Sequence, residues 1–318
     1  MTFNARLAAA SLLLMTLGAS ACSQEPAAQA DPPARAAAPA TAPASDVHAF
    51  RIGQLEAVAL KDGDIIVTNA VDQSPWSDTA EVASLLTATG QTDNRVHLSV
   101  QPLLVRDGER VVLIDTGAGG QMGTANKLLS SLAAAGVSPE QVTDILISHA
   151  HGDHVGGLVA DGALIYPNAT IRMTEGVWSS FRAQNELVNI ARIITPKVET
   201  FAPGASITPS IAALPLAGHT LGHSGYEIAQ GGARLIYVGD ALHSSVLSVQ
   251  RPEMQNKWDE DSRAAIITRQ SLLERGAAQN LLFYGVHFPF PGLGRIQRRD
   301  DGFVWAPEAP LTARADNP

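Results

Sequence analysis

The chain has 318 residues, 31 acidic against 22 basic side chains, and a formal net charge of −9. It has no Lys/Arg run to track a phosphate backbone, so nucleic acid is not an expected partner. A hydrophobic fraction of 45% suffices for a sizeable core, the length allows one large domain or two small ones, and the single cysteine excludes an intramolecular disulfide.

Residues 1–21 read as a secretory signal. Arg6 forms a short positive region, 7–17 form an apolar stretch too short to span a bilayer, and Ala19-Ser20-Ala21 gives a small-residue cleavage site. Cys22 follows directly, and this arrangement resembles the lipid-modified cysteine of bacterial lipoproteins, although Ala19 stands where that signal usually has Leu. The expectation is an exported, periplasmic protein anchored at Cys22, its only link to a membrane. The alternative is ordinary cleavage and a soluble periplasmic or secreted product. Residues 22–47 are mostly Ala, Pro, Gln and Ser, too polar and too flexible to offset ordering entropy, and read as a disordered tether. Residues 48–318 then form one domain.

Within that domain, 55–60 and 65–67 around Asp62-Gly63-Asp64 predict a hairpin, and 96–105 with 111–114 around Asp107-Gly108 a second. The spacing of Ala125, Leu128, Leu129, Leu132 and Ala133 predicts a helix over 124–135, capped by Thr124 and ended by Gly136. A buried strand over 142–147 follows, with further strands at 163–166, 170–173, 235–238 and 281–286 and a helix at 262–278. Strands and helices mixed throughout indicate an α/β domain.

The stretch His149-Ala150-His151-Gly152-Asp153-His154 packs three imidazoles and a carboxylate into six positions after the apolar run 145–147. Neutral imidazole is the commonest metal ligand, and a carboxylate adds negative charge for a divalent cation. Three more apparent strand ends carry such groups: Gly218-His219-Thr220-Leu221-Gly222-His223, Gly239-Asp240, and Gly285-Val286-His287. Convergence of ligands from several strand ends onto one edge is how an α/β scaffold builds a site. A structural metal or a satisfied polar cluster is the plainer alternative.

The order HAHGDH, GHTLGH, GD, GVH, preceded by Leu113-Ile114-Asp115-Thr116-Gly117, resembles the metallo-β-lactamase superfamily of hydrolases across nearly all of residues 50–308. Within it the chain resembles the methyl parathion hydrolase branch, neighbour to the acyl-homoserine lactone lactonases. That likeness rests on Asp115-Thr116-Gly117-Ala118-Gly119, Ser138-Pro139-Glu140-Gln141-Val142, His154-Val155-Gly156-Gly157-Leu158 and Phe288-Pro289-Phe290-Pro291-Gly292-Leu293-Gly294. The resemblance implies a four-layer αββα sandwich with the metal site at one edge of the two sheets. It implies two zinc ions per chain, with Mn, Fe or Co acceptable to such N/O ligands. His149, His151 and His219 would hold one ion, Asp153, His154 and His287 the other, and Asp240 would bridge them. Attack would come from a metal-held hydroxide, with Asp153 among the catalytic residues.

The same resemblance gives Asp115 the task of orienting a ligand histidine and makes His223 a structural support. His243 stands three residues after Asp240, where lactonase relatives carry a substrate-contacting Tyr; it reads equally as a proton donor or as a rim histidine without chemistry. Met122, Trp178, Phe181, Phe288 and Phe290 are candidates for an apolar substrate wall, with ordinary core as the alternative for each. The expected substrate is a small ester-like molecule, a lactone, aryl ester or phosphotriester. A thioesterase, a β-lactam hydrolase or a non-catalytic metal-dependent binding protein are the alternatives. One lactamase group has Cys where Asp240 sits, and the only cysteine here is Cys22. A homodimer is the assembly suggested by the relatives.

Overall fold

The computed structural model describes residues 46–308. The expected signal, Cys22 and the tether up to residue 45 lie outside them. Seven strands form one sheet in the order Val47–Ile52, Leu55–Leu60, Leu103–Asp107, Arg110–Ile114, Asp144–Leu146, Thr170–Thr174, Val198–Phe201, of which the last four run parallel. Six strands form another, in the order Ile211–Pro215, Ser224–Gln230, Ala233–Tyr237, Leu282–Tyr284, Leu293–Arg299, Gly302–Pro307, with only the central pair parallel.

Alternation along the strands builds the layers. Val112 and Ile114 point into the core between the sheets while Leu113 points to the opposite face, as a period of two requires. That opposite face packs against the helices Leu128–Ala134, Glu175–Ala183 and Val188–Ile194 through Leu132, Phe181 and Ile194. In the second sheet Leu235 and Tyr237 face the first sheet, whereas Ile236 and Val238 meet Leu272 and Leu273 of the helix Ser262–Gln279. The result is the expected αββα sandwich. Among the described residues no helix is long and apolar enough to cross a membrane.

Three local expectations are corrected. Strands Leu55–Leu60 and Gly63–Thr68 do not pair with each other: the first joins the seven-stranded sheet, and the second pairs with Arg95–Val100 in a separate ribbon. The reason lies in Asp62, which is fully buried and accepts the amides of Ala118 (3.0 Å) and Leu128 (3.1 Å) instead of closing a turn. The same carboxylate explains the shortened helix. The 124–135 stretch becomes helical only at Leu128, where Asp62 caps an N-terminus that lacks a side-chain cap of its own, and Thr124 bonds the carbonyl of Gln121. The predicted strand over 96–105 is likewise split: Arg95–Val100 stays in the ribbon and Leu103–Asp107 pairs with Arg110–Ile114. Through Val96 and Leu98 the ribbon packs on Val82 and Leu86 of the helix Thr79–Ala88.

Candidate metal centre

The strands Arg110–Ile114 and Asp144–Leu146 run parallel, as do Ala233–Tyr237 and Leu282–Tyr284. Their C-terminal ends deliver Asp115, the His149–His154 run, Asp240 and His287 to one edge, the usual location of α/β sites. His219 arrives from the loop after Ile211–Pro215.

The residues that the resemblance assigned to metals come together in two sets. His149 Nε2, His151 Nδ1 and His219 Nε2 lie 3.0–3.2 Å from one another. Nitrogen ligands about 2.0–2.1 Å from a tetrahedral zinc stand roughly 3.3 Å apart, so the spacing suits one ion. Asp153, His154 and His287 form the second set: His154 Nε2 and His287 Nε2 lie 3.6 and 3.4 Å from Asp153 Oδ2. Asp240 divides its carboxylate between the sets. Oδ2 faces His149 (3.7 Å) and His219 (3.5 Å), and Oδ1 faces His154 and His287, both at 3.1 Å.

The chemistry of this donor set fits divalent cations. His154 Nε2 and Asp240 Oδ1 are buried with no hydrogen-bond partner among the described residues. The only ionic partners of Asp153 and Asp240 among those residues are histidines. Burial holds the imidazoles of His149 and His219 well below their ordinary pKa range and lowers that of His151, which favours the neutral, ligating form. At His154 and His287 burial works the same way, but the carboxylates of Asp240 and Asp153 outweigh it and raise both. Asp240 shows the mirror image: burial opposes its charge, and the imidazoles of His154, His287 and His149 pull its carboxyl well below the usual range. Positive charge is what these carboxylates demand.

The ligand rings are held from behind. Asp115 adopts a left-handed backbone (φ 60°), which Asp tolerates better than most residues, and its carboxylate accepts from the Ser148 amide (2.8 Å), Ser148 Oγ (2.7 Å) and Tyr237 Oη (2.7 Å). Its Oδ2 lies 2.8 Å from His154 Nδ1, so the ligand histidine it orients is His154. Ser148 Oγ also reaches His149 Nδ1 (3.1 Å). His287 Nδ1 meets the carbonyl of Ser99 (2.8 Å). His223 has both nitrogens engaged: Nε2 accepts the Asp240 amide (3.0 Å) and Nδ1 donates to the Leu216 carbonyl (2.9 Å). Burial lowers its pKa to about 4, and it supports the bridging loop as a neutral ring. Gly239 sits against it at φ 50°, where a Cβ would lie 2.6 Å from His223 Nε2.

Above the ligands opens a cleft of about 290 Å³, walled by Ile65, Leu98, Met122, Leu187, Ile190 and Trp258 and lined at its floor by His151, Asp153, His219, Asp240, His243 and His287. His243 is buried and neither ring nitrogen has a hydrogen-bond partner among the described residues; its Nε2 lies 3.4 Å from Asp240 Oδ2.

Of the five expected wall residues only Met122 lines the cleft, half exposed. Trp178 and Phe181 fill the helix layer beneath the first sheet, Phe288 packs edge-to-face on Trp305 (4.7 Å) behind the second, and Phe290 joins the inter-sheet core. Large rings are worth more as core filling than at a wet rim. Sequence reasoning passed over Trp258 and the carboxylate of Asp259. The latter lies 3.1 Å from His219 Nδ1, and burial, which opposes its charge, is outweighed by His219, His243 and Arg269, so its pKa is lowered. No spacing pattern marks it: it stands among Glu260 and Asp261, and only the folded loop selects it.

A profile of the metallo-beta-lactamase superfamily matches residues 97–287, more than half of the chain, and the chain belongs to that superfamily. The solved structure of AidC, a dizinc quorum-quenching lactonase in complex with a product, N-hexanoyl-L-homoserine, is 30% identical with a TM-score of 0.76, the match covering 83% of this chain and 97% of that one. The hydrolase AbOPH of the beta lactamase superfamily is 27% identical with a TM-score of 0.76, covering 84% and 98%. By sequence, metallo-beta-lactamase domain-containing protein 1 of Xenopus laevis is 28% identical over 189 residues, 56% of this chain and 67% of that protein. The fold and the His/Asp groups are those of a metal-dependent hydrolase superfamily with lactonases among the structural neighbours.

Proposed function

We propose that the protein is a dinuclear metal hydrolase of ester-like bonds, with zinc as the resident ion and Mn, Fe or Co as acceptable substitutes. The observation that carries this reading is the divided carboxylate of Asp240, one oxygen toward each histidine set. His149, His151 and His219 would hold one ion, Asp153, His154 and His287 the other, and Asp240 both. When bound, such a pair supplies a water of lowered pKa and polarises the substrate oxygen.

The remaining tasks fall to this chain's own side chains. Asp115 fixes the ring of His154 so that Nε2 faces inward. His243, buried at the cleft floor with no hydrogen-bond partner on either ring nitrogen among the described residues, offers an N–H to a substrate or leaving-group oxygen. The apolar wall, Trp258 included, would receive an apolar substituent of the substrate. Among the described residues neither Lys nor Arg lines the cleft, and Glu186 does. This favours neutral lactones, aryl esters and phosphotriesters over β-lactams and glutathione thioesters, which carry carboxylates. The likeness to AidC supports lactones within that group. A panel of an acyl-homoserine lactone, a p-nitrophenyl ester, a paraoxon-type triester and nitrocefin, with and without chelator and alongside metal analysis, tests this reading. Chelator-sensitive turnover of a neutral ester or lactone is expected. Nitrocefin cleaved while the others stay silent would overturn the ranking.

We also propose export with a lipid anchor at Cys22, supported by the apolar stretch and the small residues before it. Metabolic palmitate should label the wild type and leave Cys22→Ala unlabelled; an unlabelled wild type removes the anchor.

A further inference from the structure

The two histidine sets are supported differently. His154 leans on the Asp115 carboxylate, His149 on Ser148 Oγ, which that carboxylate holds in turn, and His287 on a backbone carbonyl. His219 leans on Asp259 alone, through Nδ1 and Oδ1 at 3.1 Å. The other oxygen, Oδ2, is already committed: it accepts from Arg269 Nη2 (2.9 Å) and Asn256 Nδ2 (2.8 Å). Asp259 and Arg269 are both almost wholly buried. Arg269 is an unusual side chain to bury, and each arm of its guanidinium has a partner. It donates through Nε to the carbonyl of Ala241 (3.1 Å), the residue after Asp240, and through Nη1 to those of Pro252 (2.9 Å) and Met254 (3.3 Å). The backbone is tied too: the amides of Glu260 and Asp261 bond the carbonyls of His219 and Gly218, both at 2.9 Å. Trp258, between Asn256 and Asp259, walls the cleft and packs on Trp76 and His243.

We infer that Asp259, locked by Arg269 and Asn256, is the positioning residue that sets the tautomer of His219 and thereby the affinity of one metal position only. An acceptor at Oδ1 requires the proton on His219 Nδ1, which leaves the Nε2 lone pair facing His149 and His151. An amide at position 259 reverses this. Arg269 still demands an acceptor at the outer atom, so the NH₂ turns to His219 Nδ1, the ring proton moves to Nε2, and the ligating lone pair is lost. The logic parallels the carboxylate–histidine–metal arrangement, whose supporting partner is typically worth 10–100-fold in metal affinity.

This inference rests on the two-metal reading, and the tests separate the two. Zinc titration of chelator-stripped protein against a competing indicator should resolve two affinities in the wild type. Asp259→Asn is expected to weaken one by about 10–100-fold and leave the other within a few-fold, while Asp259→Glu recovers part of the loss. Equal weakening of both, or of neither, overturns the proposal. Should Asp259→Asn not fold, ¹⁵N shifts of the His219 ring in metal-free wild type decide it: protonation at Nδ1 is expected, and protonation at Nε2 sinks it. A wild type that binds fewer than two ions yet shows the Nδ1 tautomer fails the dinuclear reading and leaves the role of Asp259 standing.

Discussion

The floor and the wall of the cleft are built by different means. The floor is polar, nearly all buried, and carried on the C-terminal ends of strands whose register the two sheets dictate. The wall is apolar and assembled from the ribbon (Ile65, Leu98), a half-exposed loop residue (Met122), the 185–194 helical region (Leu187, Ile190) and the 254–261 loop (Trp258). Groups that must hold charge at fixed separations sit on the most constrained backbone. Groups that need only offer apolar area sit where change is tolerated. Damage to the floor should therefore fall on metal binding and kcat, and damage to the wall on KM.

The largest effect expected is metal removal. A ligand at a thousandfold excess over its Kd stabilises the native state by about 4 kcal/mol, so stripping the ions should abolish turnover and lower Tm by several degrees, both restored by zinc. A chelated protein with unchanged turnover would mean that the floor is only a polar cluster. Next comes Asp115→Ala, which strands Ser148, His154 and Tyr237 without their shared acceptor. A loss of about 10–100-fold in metal affinity is expected, measured against a competing chelator.

Asp144 tests whether the floor's support extends beyond the site. It begins the strand that leads into the His149 run, buried between Arg110 (2.9 Å) and Arg172 (3.0 Å) with Thr143 Oγ1 at 2.8 Å. Burial alone would raise its pKa, but Arg172, Thr143 and Arg110 hold it below the usual range. A carboxyl held low in the folded state contributes stability that is present above about pH 4 and lost as pH falls through the folded value. Asp144→Asn should cost about 2 kcal/mol at neutral pH in denaturant unfolding, since both arginines stay partly in water, and should flatten the acid limb while leaving kcat alone. The smallest effect belongs to the wall: Met122→Ala should raise KM a few-fold, under about 1 kcal/mol, with kcat and Tm unchanged. A variant that lowered kcat instead would break the division between floor and wall.

The difference between floor and wall also governs what was readable before folding. His149, His151, Asp153 and His154 fall within six positions, so their chemistry is visible as a string, and His219 and Asp240 follow a glycine directly while His287 stands two residues after Gly285, all at the ends of apolar runs. Trp258 and Asp259 reach the site only because Asn256 pairs with Trp76 and the Glu260 and Asp261 amides grip the His219 loop. Trp178, Phe181 and Phe288 take the core reading that the sequence also allows, because an aromatic near a motif looks the same whether it faces the cleft or the core. The Asp62-Gly63-Asp64 turn failed for a related reason: its signal is local, and the partners of Asp62 lie 56 and 66 residues away.

That buried Asp62 has a consequence for how the molecule breathes. The helix Leu128–Ala134 has seven residues, too few to persist alone, and its first amide is capped by a carboxylate 66 residues earlier in the chain, just past the strand Leu55–Leu60. Its amides should therefore exchange with solvent in step with the strand Leu55–Leu60, as one cooperative unit, and not by fraying from the helix end. Hydrogen exchange would show the two segments opening together, and Asp62→Ala would uncouple them.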